Sequence, residues 1–114
     1  MKKCSVLFFV IALFALPFCT STKKVAAVEP AKLTYASTLQ PIIMGNCSPC
    51  HIPPKGNKKA YDNYANVKSD IDEIISRIQK DPGEKGFMPF KHAKLPDSTI
   101  QVFVKWKADG SLEK

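Results

Sequence analysis

Cys47-Ser48-Pro49-Cys50-His51 is the stretch on which the interpretation of this chain depends. The pattern C-x-x-C-H is typical of covalent attachment of a c-type haem. Two thiols one helical turn apart can each reach a vinyl group of the same porphyrin. The histidine that follows is carried beneath the ring, where its imidazole can bind the iron. Cys47 and Cys50 are therefore predicted to attach one haem c, with His51 as the proximal iron ligand.

Three other chemistries can use the same residues. A zinc site needs four ligands, and after residue 19 the chain offers only Cys47, Cys50, His51 and His92. The adjacent Cys50 and His51 also lack the usual separation of finger ligands. A thioredoxin-type pair is expected beside a βαβ pattern, which is not found here. A structural disulfide remains open in an oxidising compartment, although it leaves the adjacent histidine without a role.

The amino terminus has the layout of a signal peptide. Two lysines precede an apolar run over residues 6–18, which at thirteen residues is shorter than the roughly 20 that a membrane-spanning helix needs. We predict a signal peptide over 1–18, a flexible tether over 19–31 and a folded domain over 32–114. The chain is then exported, to the periplasm or to a membrane surface.

The end of the apolar run indicates how the chain is anchored. Leu16-Pro17-Phe18-Cys19 resembles a lipobox, in which Cys19 becomes the lipidated first residue, although Phe18 stands where that pattern prefers a small side chain. Cleavage after Ala27 is the alternative. Several acyl chains on Cys19 would suffice for stable anchoring.

From residue 32 onward the pattern predicts an all-α domain with no strand. Apolar residues recur at helical spacing, and the predicted helices are 33–46, 61–67, 69–80 and 97–108. Pro41 falls inside the first of these, so that helix either starts near Gln40 or is kinked. The last helix is opened by Pro96 or Asp97, ended by Gly110 and expected to cross the helix at 33–46.

Two further segments complete the candidate site. Met88, in a proline-bracketed apolar loop 37 residues after His51, is the predicted sixth ligand, because a thioether can bind haem iron axially. His92 is the alternative. A carbonyl at Pro53 or Pro54 is predicted to accept the Nδ1–H of His51, since metal-bound histidines usually need such a partner.

The net charge favours a protein partner over nucleic acid. The formal charge is +7, and +5 without Lys2 and Lys3; basic and aromatic residues are not interleaved as nucleic-acid binding would require. Such a charge aids solubility, but it can also steer an acidic redox partner. Six lysines flank the proposed ligands in sequence: Lys55, Lys58, Lys59, Lys85, Lys91 and Lys94.

Three segments together resemble a small class I (monohaem) cytochrome c of the exported bacterial type. They are the helix leading into Cys47-Ser48-Pro49-Cys50-His51, the loop Phe87-Met88-Pro89, and the closing segment from Leu95 to Gly110 with its Trp-x-x-x-Gly ending. The resemblance covers residues 33–111. It implies a compact bundle of about three to five short helices around one covalent haem, attached at Cys47 and Cys50.

The resemblance also implies His51 as proximal and Met88 as distal ligand, hence one-electron transfer rather than catalysis. The family's ligand spacing is usually longer, which implies an exposed haem edge here. Two alternatives stay open: a haem enzyme or a sensor of peroxide, CO or NO with an open sixth position, and an electron-relay subunit of a larger respiratory complex. Because the domain is small, we also predict that the haem-free chain is at best molten.

Overall fold

The computed structural model describes residues 31–114, and this part of the chain is all-α as predicted. Its helices are α1 (Gln40–Asn46), α2 (Tyr64–Ser69), α3 (Ile71–Gln79) and α4 (Asp97–Ala108), and a π-helical turn, Tyr35–Leu39, runs directly into α1. Within residues 31–114 no helix is long and apolar enough to span a bilayer. The predicted signal peptide, the lipidation of Cys19 and tether residues 19–30 lie outside the described residues.

The first helical segment resolves the question that Pro41 raised. The α-helix starts at Gln40, with Pro41 in its first turn, where its missing N–H costs no hydrogen bond. Ahead of it, the Gln40 N–H donates to the Tyr35 carbonyl five residues back, which is the π-helical pattern. The wider turn therefore lies where a proline interrupts the regular α-helical ladder.

The isoleucine stripe of α3 and the broad apolar face of α4 meet in one core. Trp106 is fully buried, as a packing residue should be, and its indole N–H donates to the Leu112 carbonyl at 2.8 Å. The core cluster comprises Tyr35, Leu39, Ile43, Ile52, Val67, Ile71, Ile74, Ile78, Leu95, Ile100, Phe103 and Trp106. The core thus draws on every helix and forms one side of the cavity described below.

The bounds of α4 agree with the prediction, and Gly110, with φ +96°, follows it in the left-handed region that glycine tolerates. Its packing is broader than predicted. It contacts the π-helical turn of the first helical segment, but it also packs along α3. The short α3 thereby contributes to both the core and the cavity.

The two ends of the described chain are paired. The N–H groups of Tyr35 and Ala36 donate to the carbonyls of Leu112 and Glu113, at 2.9 and 3.0 Å. An isolated β-bridge joins Thr34 to Leu112. The closing residues therefore complete the hydrogen bonding of the first helical turn.

Candidate haem site

One cavity of about 620 Å³ brings together the residues that the sequence singled out. Cys47, Cys50, His51, Met88 and His92 all line it, although the last two come from a different loop. Its walls include the core residues Ile43, Ile74, Ile78, Leu95 and Phe103. Protein cores rarely contain voids much larger than a water molecule, whereas this volume is typical of a small-molecule site.

The segment Cys47-Ser48-Pro49-Cys50-His51, called the motif below, forms a turn at the end of α1. The Cys47 N–H donates to Ile43 at 2.8 Å, and the His51 N–H donates to the Cys47 carbonyl at 3.0 Å. Cys47 and Cys50 are free thiols, partly buried and exposed respectively. Burial raises the pKa of the Cys47 thiol to about 11, whereas thioredoxin-type chemistry needs a lowered thiol pKa. The local environment therefore disfavours the redox-pair alternative.

The zinc alternative also finds no ligand cluster in the described residues. Among residues 31–114, no three His, Cys, Asp or Glu side chains lie close enough together to hold a metal ion. The donors that do share the cavity are two thiols, an imidazole and a thioether. This set fits a haem better than it fits zinc, because thiols attach haem and imidazole and thioether bind its iron.

The imidazole of His51 is held on two sides. Its Nδ1 lies 2.8 Å from the Lys59 carbonyl. Since a carbonyl can only accept, Nδ1 donates in this contact, and Nε2 is the ring nitrogen left for a metal. Tyr61 stacks on the ring, with centroids 4.5 Å apart and planes 7° from parallel. The prediction that Pro53 or Pro54 supplies the acceptor is wrong. The acceptor comes later in the same loop, because the chain turns back on the motif.

The loop over residues 52–60 returns to the motif through backbone hydrogen bonds. The Lys58 N–H donates to the Cys50 carbonyl at 3.2 Å, and the Tyr61 N–H to the His51 carbonyl at 2.9 Å. Gly56 permits this approach: an added Cβ would lie 2.7 Å from the Pro49 carbonyl oxygen and closer still to that of Cys50. The glycine is therefore required by close packing of the loop on the motif.

Gly56→Ala is expected to lower the free energy of unfolding of the purified protein by about 1–3 kcal/mol, the usual cost of overpacking. Gly45→Ala is the matched control. Nothing lies within 4 Å of a Cβ added at this position of α1, so this change should stabilise by roughly 0.5–1 kcal/mol. Urea unfolding of both variants checks the pair. Equal effects would mean that the loop does not pack on the motif as described.

Met88 reaches the cavity from a loop attached to α3. Its N–H donates to the Arg77 carbonyl at 3.2 Å, and the Arg77 guanidinium donates to the Gly86 carbonyl at 3.4 Å. Met88 is half-buried and packs against the core cluster, whereas His92 is exposed. Both residues line the cavity, so either could serve as the distal ligand by position. The greater burial of Met88 favours it over His92.

Only some of the six lysines that flank the proposed ligands in sequence lie at the cavity. Lys58 and Lys59 line it. Lys85 and Lys91 line a second cavity of about 410 Å³ on the same loop as Met88. Two of the six lysines are in ion pairs: Lys59 with Asp70 at 2.6 Å and Lys94 with Asp81 at 2.7 Å. Phe90, which lines the second cavity together with Lys85 and Lys91, has 63% of its surface exposed.

The charge of Asp70 is expected to make a small contribution to stability against acid. Hydrogen bonding to Lys59, followed by that to Ser69 and Tyr61, holds the pKa of this carboxyl below its usual value. A lowered folded-state pKa stabilises the protein above about pH 3.9, the unfolded value, and this stabilisation is lost as the pH falls through the folded value. We expect Asp70→Asn to reduce the fall in unfolding free energy between about pH 6 and pH 3. Urea unfolding at both pH values measures it, and an unchanged fall would contradict it.

Lys59 and Tyr61 line the cavity, and Gly56 and Asp70 contact residues that line it; the sequence analysis did not predict these roles. The sequence singled out Lys59 only as one of the lysines that flank the ligands, since a backbone carbonyl acceptor leaves no signature in residue type. Gly56, the glycine within a loop rich in proline and lysine, was the one sequence signal that the loop packs closely on the motif. No protein-family model, curated protein or solved structure matches the chain. The assignment of the site therefore depends on its own geometry and chemistry.

Proposed function

We propose that this chain is an electron carrier that works outside the cytoplasm, with one covalently attached haem c in a class I cytochrome c-like domain. One observation carries the proposal. Cys47, Cys50, His51 and Met88, which are spread over some 40 residues of sequence, line the same cavity beside an apolar core. Attachment, proximal and distal groups are thus available together.

The roles of the residues follow from their contacts. The thiols of Cys47 and Cys50 would each add across one vinyl group, S–H to C=C, which needs no oxidant. His51 would bind the iron through Nε2, since Nδ1 donates to Lys59, and Met88 would bind it through sulfur. With both ligands in place, the chemistry that a bound haem supplies is one-electron transfer, and a thioether ligand raises its potential.

Burial and packing support these roles. Ile74, Ile78 and Phe103 exclude water from the cavity wall, while the exposed Cys50 leaves an edge open to solvent. A partner can approach that edge, and Lys58 there would favour an acidic one. The protein's contribution is to hold its ligands rigid and to present one accessible edge.

An absorption spectrum tests the function most directly. The protein is purified from a host with haem-attachment machinery, then oxidised and dithionite-reduced. We expect haem that survives denaturation, a sharp reduced α band and a weak sulfur-to-iron band at the red end of the oxidised spectrum. A protein that carries no covalent haem would contradict the proposal. Binding of CO to the reduced protein at neutral pH would instead favour the enzyme or sensor alternative, and co-purification with a larger complex would favour the relay subunit.

Membrane tethering is tested at Cys19. If Cys19 is lipidated, the protein is expected in the membrane fraction, and Cys19→Ser is expected to lose nearly all of that association, because the acyl chains supply the anchor. Cys4→Ser, within the predicted signal peptide, is the matched control and should leave the protein in the membrane fraction. A wild-type protein found only in the soluble fraction would favour cleavage after Ala27.

A further inference from the structure

Asp70 occupies the position just before α3, but it is not used as a helix cap. Aspartate at this position usually accepts from the backbone N–H groups of the first turn. Here the side chain makes no such bond. Its oxygens are instead bound by two groups from the loop after the haem motif. The Lys59 ammonium lies 2.6 Å from Oδ1, and the Tyr61 hydroxyl donates to Oδ2 at 3.2 Å.

Both partners of Asp70 also contact His51, and they do so in different ways. The Lys59 carbonyl lies 2.8 Å from the imidazole Nδ1, while the Tyr61 ring stacks on the imidazole face at 4.5 Å. The Asp70 carboxylate therefore binds both residues that hold the imidazole: Lys59, whose carbonyl faces Nδ1, and Tyr61, whose ring stacks on the imidazole face.

The exposure of the Lys59–Asp70 pair limits its contribution to stability. The side chains of Lys59 and Asp70 are 46% and 24% exposed, and ion pairs of this kind contribute little to the free energy of unfolding. The Ser69 hydroxyl donates at 3.0 Å to Oδ1 of Asp70, the oxygen that Lys59 also contacts. Several charge-assisted bonds to one carboxylate restrict its geometry.

We propose that Asp70 is a positioning residue for His51: through Lys59 and Tyr61 it fixes the rotation of the imidazole and the strength of its Nδ1–H bond. The inference rests on the proposed function, in which His51 binds haem iron. A firmly held Nδ1–H···O bond makes the imidazole a more basic ligand, which favours oxidised iron. Loosening the connection should weaken that bond and raise the reduction potential.

The test measures solvent exchange of the His51 Nδ1 proton by NMR in the reduced, haem-bearing protein. Asp70→Asn and Lys59→Met each break the connection, and the latter leaves the Lys59 carbonyl in place. In both we expect exchange about tenfold faster than in the wild type, the effect of losing one charge-assisted hydrogen bond. The double variant should exchange no faster than either single one, because both act on one connection.

Reduction potentials separate positioning from simple charge. Asp70→Asn removes a negative charge and Lys59→Met a positive one, so a purely coulombic effect shifts the potential in opposite directions. Positioning adds an upward shift in both. Asp72→Asn, which removes an equal charge from α3 at a carboxylate paired with Lys107, is the control and should leave exchange unchanged. Tyr61→Phe, which keeps the ring, should show the same faster exchange and remains informative if Asp70→Asn does not fold.

The outcomes distinguish the two proposals. Haem-bearing variants with unchanged Nδ1–H exchange, or with potentials that follow only the sign of the lost charge, overturn the positioning role and leave the electron-carrier function standing. A wild-type protein without covalent haem overturns the function, and the inference with it.

Discussion

A chain in which Cys47 and Cys50 are both replaced by serine is expected to carry no covalent haem and to lose cooperative unfolding. Serine keeps the size and polarity of the side chain but cannot form a thioether. Without the haem, the cavity of about 620 Å³ stays unfilled by apolar material. At about 24 cal/mol per Å³ such a void costs about 15 kcal/mol, an upper limit because water enters at the exposed edge. That equals or exceeds the roughly 5–15 kcal/mol that stabilises a typical domain.

Two measurements check this expectation. Mass spectrometry of the denatured protein reports the attached haem, and near-ultraviolet circular dichroism with urea titration reports fixed packing. Ser48→Ala, between the two cysteines and exposed, is the control and should keep both the haem and the transition. A double-serine chain that unfolded cooperatively in the absence of haem would show that the core of α3 and α4 is sufficient, and that the haem-free chain is not molten.

Met88→Ala is expected to leave the haem attached but to remove the sulfur-to-iron band and lower the potential. Alanine has no donor atom, so the iron loses its thioether ligand while Cys47, Cys50 and His51 remain. We expect a fall on the order of a few tenths of a volt, a substantial part of the roughly 0.8 V that axial ligation spans.

His92→Ala is the matched control for Met88→Ala. His92 lies in the same loop and lines the same cavity, but it is exposed, so its removal should change neither spectrum nor potential. The reverse pattern, with the band kept in Met88→Ala and the spectrum altered in His92→Ala, would transfer the distal role to His92.

Much of the helical layout could be predicted because its signals are local. Proline and glycine mark the ends of α4, and the isoleucines of α3 repeat at the helical period. The bounds of α2 and α3 were less accurate, since Asn63 caps α2 by accepting from the Asn66 N–H and Asp70 separates the two helices. The π-helical turn before Pro41 was also missed, because it depends on hydrogen bonds rather than on residue type.

In the candidate site too, the residues that act through their side chains could be predicted, and the contacts made by the backbone could not. Cys47, Cys50, His51 and Met88 were predicted because their chemistry depends on their side chains. The Lys59 carbonyl was not, since any residue can supply one and only the path of the loop decides which. Asp70 stands at the N-cap position of α3, and its use by Lys59 and Tyr61 instead depends on where the loop after residue 51 comes to lie.

The pairing of the first helical turn with the last residues has a consequence for the order of events during synthesis. Tyr35 and Ala36 are made well before their hydrogen-bond acceptors, the carbonyls of Leu112 and Glu113. Closing so long a loop is entropically unfavourable until its contacts can form. The domain therefore cannot finish folding before residue 113 has emerged, and under the proposed function Cys47 and Cys50 would stay accessible to an attachment enzyme until then. Protease resistance should appear only in stalled chains that expose residue 113.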